Sequence, residues 1–86
     1  MKLLFILDPL DHLKTYKDTS VAMMREASAR GHQLFVCEQH DIRLKHERVY
    51  FDAQIFEFSS GQPWYALQAQ QAYLADEFDA ILMRKD

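Results

Sequence analysis

Three short, unbroken apolar runs, at residues 3–7, 34–37 and 80–83, constrain this chain more than any other feature. Each is too short for a helix of ordinary length, and none alternates with polar residues as a half-buried strand would. Runs of this kind suit strands buried on both faces, and such strands are characteristic of parallel sheets. Parallel neighbours need a crossover connection, usually helical. The first crossover is legible: Asp8-Pro9 stops the first run, and residues 8–18 are a polar connection. A helix is predicted from near Thr19, where Asp18, Thr19 and Ser20 are good N-cap residues, Val21, Met24 and Ala27 recur at helical spacing, and Gly31 supplies the left-handed stop. Strand, helix and strand within about 35 residues make a right-handed βαβ unit.

Between residues 41 and 58 the pattern changes to Ile42–Leu44, a charged turn at Lys45-His46-Glu47, and a stretch rich in Val, Tyr, Phe and Ile, which predicts a β-hairpin. Residues 59–63 read as a loop. Trp64, Leu67, Leu74 and Phe78 fall at i, i+3, i+10 and i+14, which predicts a second helix before the last buried strand. With 86 residues there is room for one domain. The expected fold is α/β: a Rossmann-like half-domain whose three-stranded parallel core has the strand at 3–7 in the middle, with flanking helices and an inserted β-hairpin.

Composition excludes several functions. Ten Lys and Arg against 13 Asp and Glu, with no block of like charge, argue against a dedicated nucleic-acid or polybasic membrane module. The single cysteine rules out an internal disulfide and fits a reducing compartment, hence the cytoplasm. The opening apolar run is shorter than a signal peptide or a membrane span requires. Gly31 and Gly61 stand alone, so no glycine-rich phosphate loop is present.

Parallel strands bring their C-terminal ends to one edge, where ligands of open α/β sheets bind. Asp8, Arg84 and the start of the first helix should share that crevice. Lys17, Asp18, Thr19 and Ser20 sit where backbone amides and the helix dipole attract an anion. Asp18 is a helix cap, alone or with a ligand contact besides. Arg84 is either a clamp for a carboxylate or part of a solvated tail with Lys85 and Asp86. A metal site is a poor reading of His12, His32, His40, His46 and Cys37, since no pair has ligand spacing. A Cys-His nucleophile fares no better, because Glu38 beside Cys37 raises a thiol pKa. Asp8 and Asp18 as paired carboxylates lie ten positions apart along the connection, with nothing to fix their distance.

Three stretches are familiar in combination: Leu7-Asp8-Pro9 after the first strand, residues 16–24 (Tyr-Lys-Asp-Thr-Ser-Val-Ala-Met-Met) opening the first helix, and residues 81–86 (Ile-Leu-Met-Arg-Lys-Asp) closing the last strand. In this order they resemble the prokaryotic glutathione synthetases, whose motifs run D-P, K-D-[ST]-[ST]-x-A-M and M-R-K-D-P-P-F-D. Residues 41–78 match only in character. The resemblance implies a single N-terminal pre-ATP-grasp domain over residues 1–86, a truncated piece of a longer ligase that joins γ-glutamylcysteine to glycine through an acyl-phosphate made from ATP, with magnesium. It implies that Lys17, Asp18, Thr19, Ser20, Arg84, Lys85 and Asp86 lie on the substrate side, with no catalytic residue and no metal ligand in this chain. ATP and magnesium would be held by a downstream ATP-grasp domain of a homo-oligomeric cytoplasmic parent, and the fragment alone would be inactive. A stand-alone small-anion binding module and a structural or oligomerisation module without catalysis remain the alternatives.

Overall fold

A computed structural model describes residues 1–10, 19–61 and 63–84, with Arg84 described as backbone only. The elements in chain order are β1 (Lys2–Leu7), α1 (Thr19–Ala29), β2 (Gln33–Cys37), β3 (Ile42–Lys45), β4 (Arg48–Phe58), β5 (Tyr65–Leu67), β6 (Gln71–Leu74) and β7 (Ala80–Arg84). Short 3-10 turns at Gln39–Asp41 and Ala75–Glu77 precede β3 and β7.

The apolar runs form strands, and β1 pairs in parallel with β2 on one edge and with β7 on the other. Beyond this trio the sheet is mixed and mostly antiparallel: β4 pairs antiparallel with β2, β3, β5 and β6. The hairpin is therefore no insertion. Its second strand is a hub of the sheet, with Phe56 paired to both Leu34 and Leu67, and Phe51 paired to both Ile42 and Tyr73. Two partners for one residue require opposite edges of β4, so both edges are used along its length.

The predicted helix over 64–78 is replaced by β5, β6 and a 3-10 turn, so α1 is the one α-helix among the described residues. Helical spacing is satisfied by four apolar residues, but Gln71, two turns on from Trp64, is exposed. The open edge of β4 offers this stretch a complete set of backbone partners instead. Glutamines fasten it there: the Gln68 backbone N–H donates to the Ile55 carbonyl at 3.1 Å, the Gln54 side-chain amide to the Gln68 carbonyl at 3.1 Å, and the Gln70 side-chain amide to the Asp52 carbonyl at 3.0 Å.

Period-two alternation gives the sheet two apolar faces. Leu4, Ile6, Phe35, Cys37, Phe51, Ala53 and Phe78 cluster together, with Tyr73 packed against them. Phe5, Leu7, Leu34, Val36 and Phe56 cluster with Met24 and Ala27 of α1. That helix ends as the sequence predicts. Gly31 at φ +83° reverses the chain, the Gly31 N–H donates to the Ser28 carbonyl at 3.0 Å and the His32 N–H to the Ala27 carbonyl at 3.1 Å, a Schellman closure. The β3–β4 turn places His46 (φ 52°) and Glu47 (φ 63°) in the left-handed region without a glycine.

Candidate functional site

The parallel trio sets the geometry of the binding edge. β1 ends at Leu7, opposite Arg84 of β7, and Ile6 pairs with Cys37 of β2 on its other side. Asp8-Pro9 and Glu38-Gln39-His40-Asp41 therefore leave neighbouring strands at one edge. Between them lies a cleft of about 380 Å³, lined by Ile6 and Met83 and by the polar groups of Asp8, Glu38, Gln39 and His40. A smaller cavity of about 160 Å³ also borders Asp8-Pro9 and takes in Cys37, Asp41, Gln54 and Tyr65.

Carboxylates dominate this edge. His40 stands between two of them, its Nδ1 3.7 Å from Glu38 Oε1 and its Nε2 3.4 Å from Asp41 Oδ1. Asp41 is held in turn by the Glu38 backbone N–H, which donates to Asp41 Oδ2 at 2.9 Å. With Asp8 across the cleft, the described side chains favour a cationic or amino group over the anion expected from sequence. Among the described residues no group of three or more His, Cys, Asp or Glu is placed to hold a metal ion.

The predicted site residues are distributed as follows. Lys17, Asp18, Lys85 and Asp86 lie outside the described residues, so Asp18 as a cap does too. Arg84 closes β7 at the binding edge. Thr19 is exposed at the first position of α1, and with Leu3, Phe5, Met23 and Leu82 it lines a different, apolar groove of about 450 Å³ that shares no residue with the acidic cleft. Ser20 is buried, at 6% exposure. Sequence reasoning placed Asp8 at this edge but not Glu38, His40 or Asp41, weighing His40 as a metal ligand and Glu38 as a neighbour of Cys37. The signal was available, because these residues directly follow the second apolar run and so occupy the C-terminal end of a parallel strand.

Cys37 is buried beneath this edge. Burial first, and then the charges of Asp41, Asp52 and Glu38, push its thiol up to about 12. The unfolded thiol ionises near its ordinary value of 9.0 while the folded one holds its proton, so this contribution to stability is complete below pH 9.0 and is lost as pH rises toward about 12. Between those values it falls by about 1.4 kcal/mol per pH unit. Urea melts of wild-type and Cys37→Ala chains across that range should show a steeper alkaline loss for the wild type. Equal slopes would contradict the assignment.

The profile of the family described as Prokaryotic glutathione synthetase, N-terminal domain, matches residues 1–86. The chain is similar to the glutathione synthetases of Nitrosomonas europaea (44% identical over 90 residues), Gloeobacter violaceus (41% over 87) and Neisseria meningitidis serogroup A (42% over 91). In each case all of this chain is covered, against 28%, 27% and 29% of the relative. The chain thus spans a little over a quarter of the length of these relatives.

Proposed function

The chain belongs to the prokaryotic glutathione synthetase N-terminal domain family, and from that premise we propose that it is the substrate-binding N-terminal domain of a glutathione synthetase. The whole enzyme joins γ-glutamylcysteine to glycine, with ATP consumed through an acyl-phosphate. The observation that carries this reading is the family match over the entire chain, which includes the three collinear motifs. The parallel β2-β1-β7 arrangement supports a Rossmann-like, pre-ATP-grasp role for residues 1–86. The same reading makes the full-length protein a homo-oligomeric cytoplasmic ligase. No helix among the described residues is long and apolar enough to cross a membrane.

The chemistry of the edge suits a zwitterionic dipeptide. Asp8, Glu38 and Asp41 attract its ammonium group, to which Asp18 is available as well, while Arg84, Lys17 and the hydroxyl and backbone amides at the start of α1, with Thr19, attract carboxylate. Lys85 and Asp86, next in the sequence, belong to the same substrate side in this proposal. Ser20, being buried, acts through the position of the helix start. The described residues do not fit ATP with magnesium: no carboxylate group is arranged for a metal, and the two glycines serve a helix end and a loop. Those groups are assigned to the ATP-grasp part of the full-length protein, and no step is routed through them here.

Two proteins test the proposal: the purified 86-residue chain, and a chimera in which it replaces the matching segment of the Nitrosomonas europaea relative. The chain alone should release no ADP from ATP, γ-glutamylcysteine and glycine above a buffer control. The chimera should release ADP only with both substrates present. Turnover by the chain alone, or a folded chimera that binds no dipeptide, would overturn it.

A further inference from the structure

The cavity of about 160 Å³ lies over the opposite face of the sheet from the cleft. Leu7 and Val36 on its floor belong to the cluster under α1, and Leu10, Tyr65 and Leu67 pack against that cluster. Ile6 of the cleft belongs to the other cluster. The two spaces meet at the strand ends, where both are lined by Leu7, Asp8, Pro9 and Glu38. The outer wall of the cavity is built on a strand: β5 carries Tyr65 and Leu67 and pairs with β4 at Phe58 and Phe56. Gln54 of β4 fixes the chain beyond, its side-chain amide donating to the Gln68 carbonyl at 3.1 Å. Counted by the share each water takes of the liquid, the space equals about five waters, which is room for one short side chain and too little for a dipeptide.

We propose that this cavity is the subsite for the cysteinyl side chain of γ-glutamylcysteine, that Tyr65 and Leu67 set its size limit, and that it takes the thiol in its protonated form. The inference rests on the reading of the chain as a dipeptide-binding domain and deepens it. The occupant follows from position and charge. The cleft of about 380 Å³ holds the polar γ-glutamyl end against Asp8 and Glu38, and the adjoining cavity receives the side chain of the residue that follows. The titratable groups bordering the cavity are Asp8 after β1, Cys37, Glu38 and Asp41 at and beyond the end of β2, and Tyr65 on β5; β4 contributes the uncharged Gln54, and none of the described residues that line it is cationic. A thiolate placed there meets carboxylates with no counter-charge, which favours the neutral thiol. Cys37 is the precedent, its own thiol pushed up to about 12 by burial and then by Asp41, Asp52 and Glu38. The polarisable sulfur also packs well against an aromatic ring, which Tyr65 supplies. Because the thiolate and not the thiol is the nucleophile, a protonated side chain leaves the glycine amine without a competitor at the reacting carboxyl.

The test compares γ-glutamylcysteine with γ-glutamylglycine, which has no side chain to place, as substrates of the chimera. Leu67→Phe narrows the cavity and should raise the Michaelis constant for γ-glutamylcysteine by about 10-fold or more, and that for γ-glutamylglycine by less than about threefold. A wall that serves only the fold would raise both alike. In the unmodified chimera the ratio of the two constants, cysteine over glycine, should rise roughly 10-fold from about pH 7.5 to about pH 9.5, because the free thiol ionises near about 8.5 and the ionised form is not taken. The α-amino group titrates in both dipeptides and cancels in the ratio. Equal effects of Leu67→Phe on the two substrates, or a ratio that stays flat with pH, would overturn the proposal. Should Leu67→Phe fail to fold, Leu67→Ala enlarges the cavity, and γ-glutamylphenylalanine should gain on γ-glutamylcysteine by about 10-fold. No gain would again overturn it. A chimera that binds neither dipeptide sinks the functional proposal and this one with it, whereas a chimera that turns over both and whose variants leave their ratio unchanged sinks this one alone.

Discussion

Phe35→Ala is expected to remove about 3–5 kcal/mol of folding free energy, the usual cost of truncating a fully buried aromatic. Phe35 is 2% exposed at the centre of β2, paired with Leu4 on one side and Ile55 on the other. Its ring stands edge-on to Tyr73 and to Phe78, each with centroids 5.1 Å away. One side chain thus joins the parallel half of the sheet to the chain that covers it. A domain of this length has a total stability of about 4–13 kcal/mol, so the loss approaches the lower end of the whole. The urea midpoint should fall by about 2 M, with near-ultraviolet dichroism lost at lower denaturant. Leu44→Ala, at a side chain 75% exposed on the hairpin, is the control and should lie within about 0.5 kcal/mol of wild type. An unmoved midpoint for Phe35→Ala would mean that this face is not packed as described.

Arg84→Ala in the chimera should raise the Michaelis constant for γ-glutamylcysteine by roughly 10- to 150-fold, the equivalent of about 1.5–3 kcal/mol for a charged hydrogen bond to a carboxylate. The constant for ATP should stay within about twofold, because the proposal places the nucleotide on other residues. Thr19→Ala removes a neutral hydroxyl and should cost about 0.5–1.5 kcal/mol in the same constant. Arg25→Ala is the control. Arg25 lies farther along α1, with its guanidinium 4.5 Å from the Phe58 ring centroid, and the helix dipole acts only over the first turn. A Michaelis constant for the dipeptide unchanged in both Arg84→Ala and Thr19→Ala would reduce this edge to scaffold.

The parts of the fold readable from sequence were those whose signal is local. The runs at 3–7, 34–37 and 80–83 became strands because burial on both faces leaves an uninterrupted apolar string. The helix from Thr19 to its glycine stop was readable because caps and spacing lie within the segment itself. Residues 64–78 were misread because their structure is decided by a remote partner. Tyr65 and Leu67, and then Tyr73, face β4, whose free edge no local pattern discloses. The site divides along the same line. Its edge was legible from strand polarity, but its acidic character comes from Glu38 and Asp41, on either side of His40, converging with Asp8, and that convergence depends on the β1–β2 register.

The ends of the described chain are clasped together. The Lys2 backbone N–H donates to Asp79 Oδ2 at 2.7 Å, and the Asp79 backbone N–H donates to the Lys2 carbonyl at 2.8 Å, a contact that spans 77 residues. This sets an order of events during synthesis. The β3–β4 hairpin and its pairing with β2 involve neighbouring sequence and can form once residue 58 has emerged from the ribosome. β1, although made first, has no second partner until residues 80–84 are translated. Closing so long a loop costs about 2–3 kcal/mol more than closing a tight turn. The cleft walls that follow β1 and β2 can thus meet early, whereas the wall supplied by Met83 and the neighbouring end of β7 is added only when residues 80–84 have been made, so the cleft is completed last.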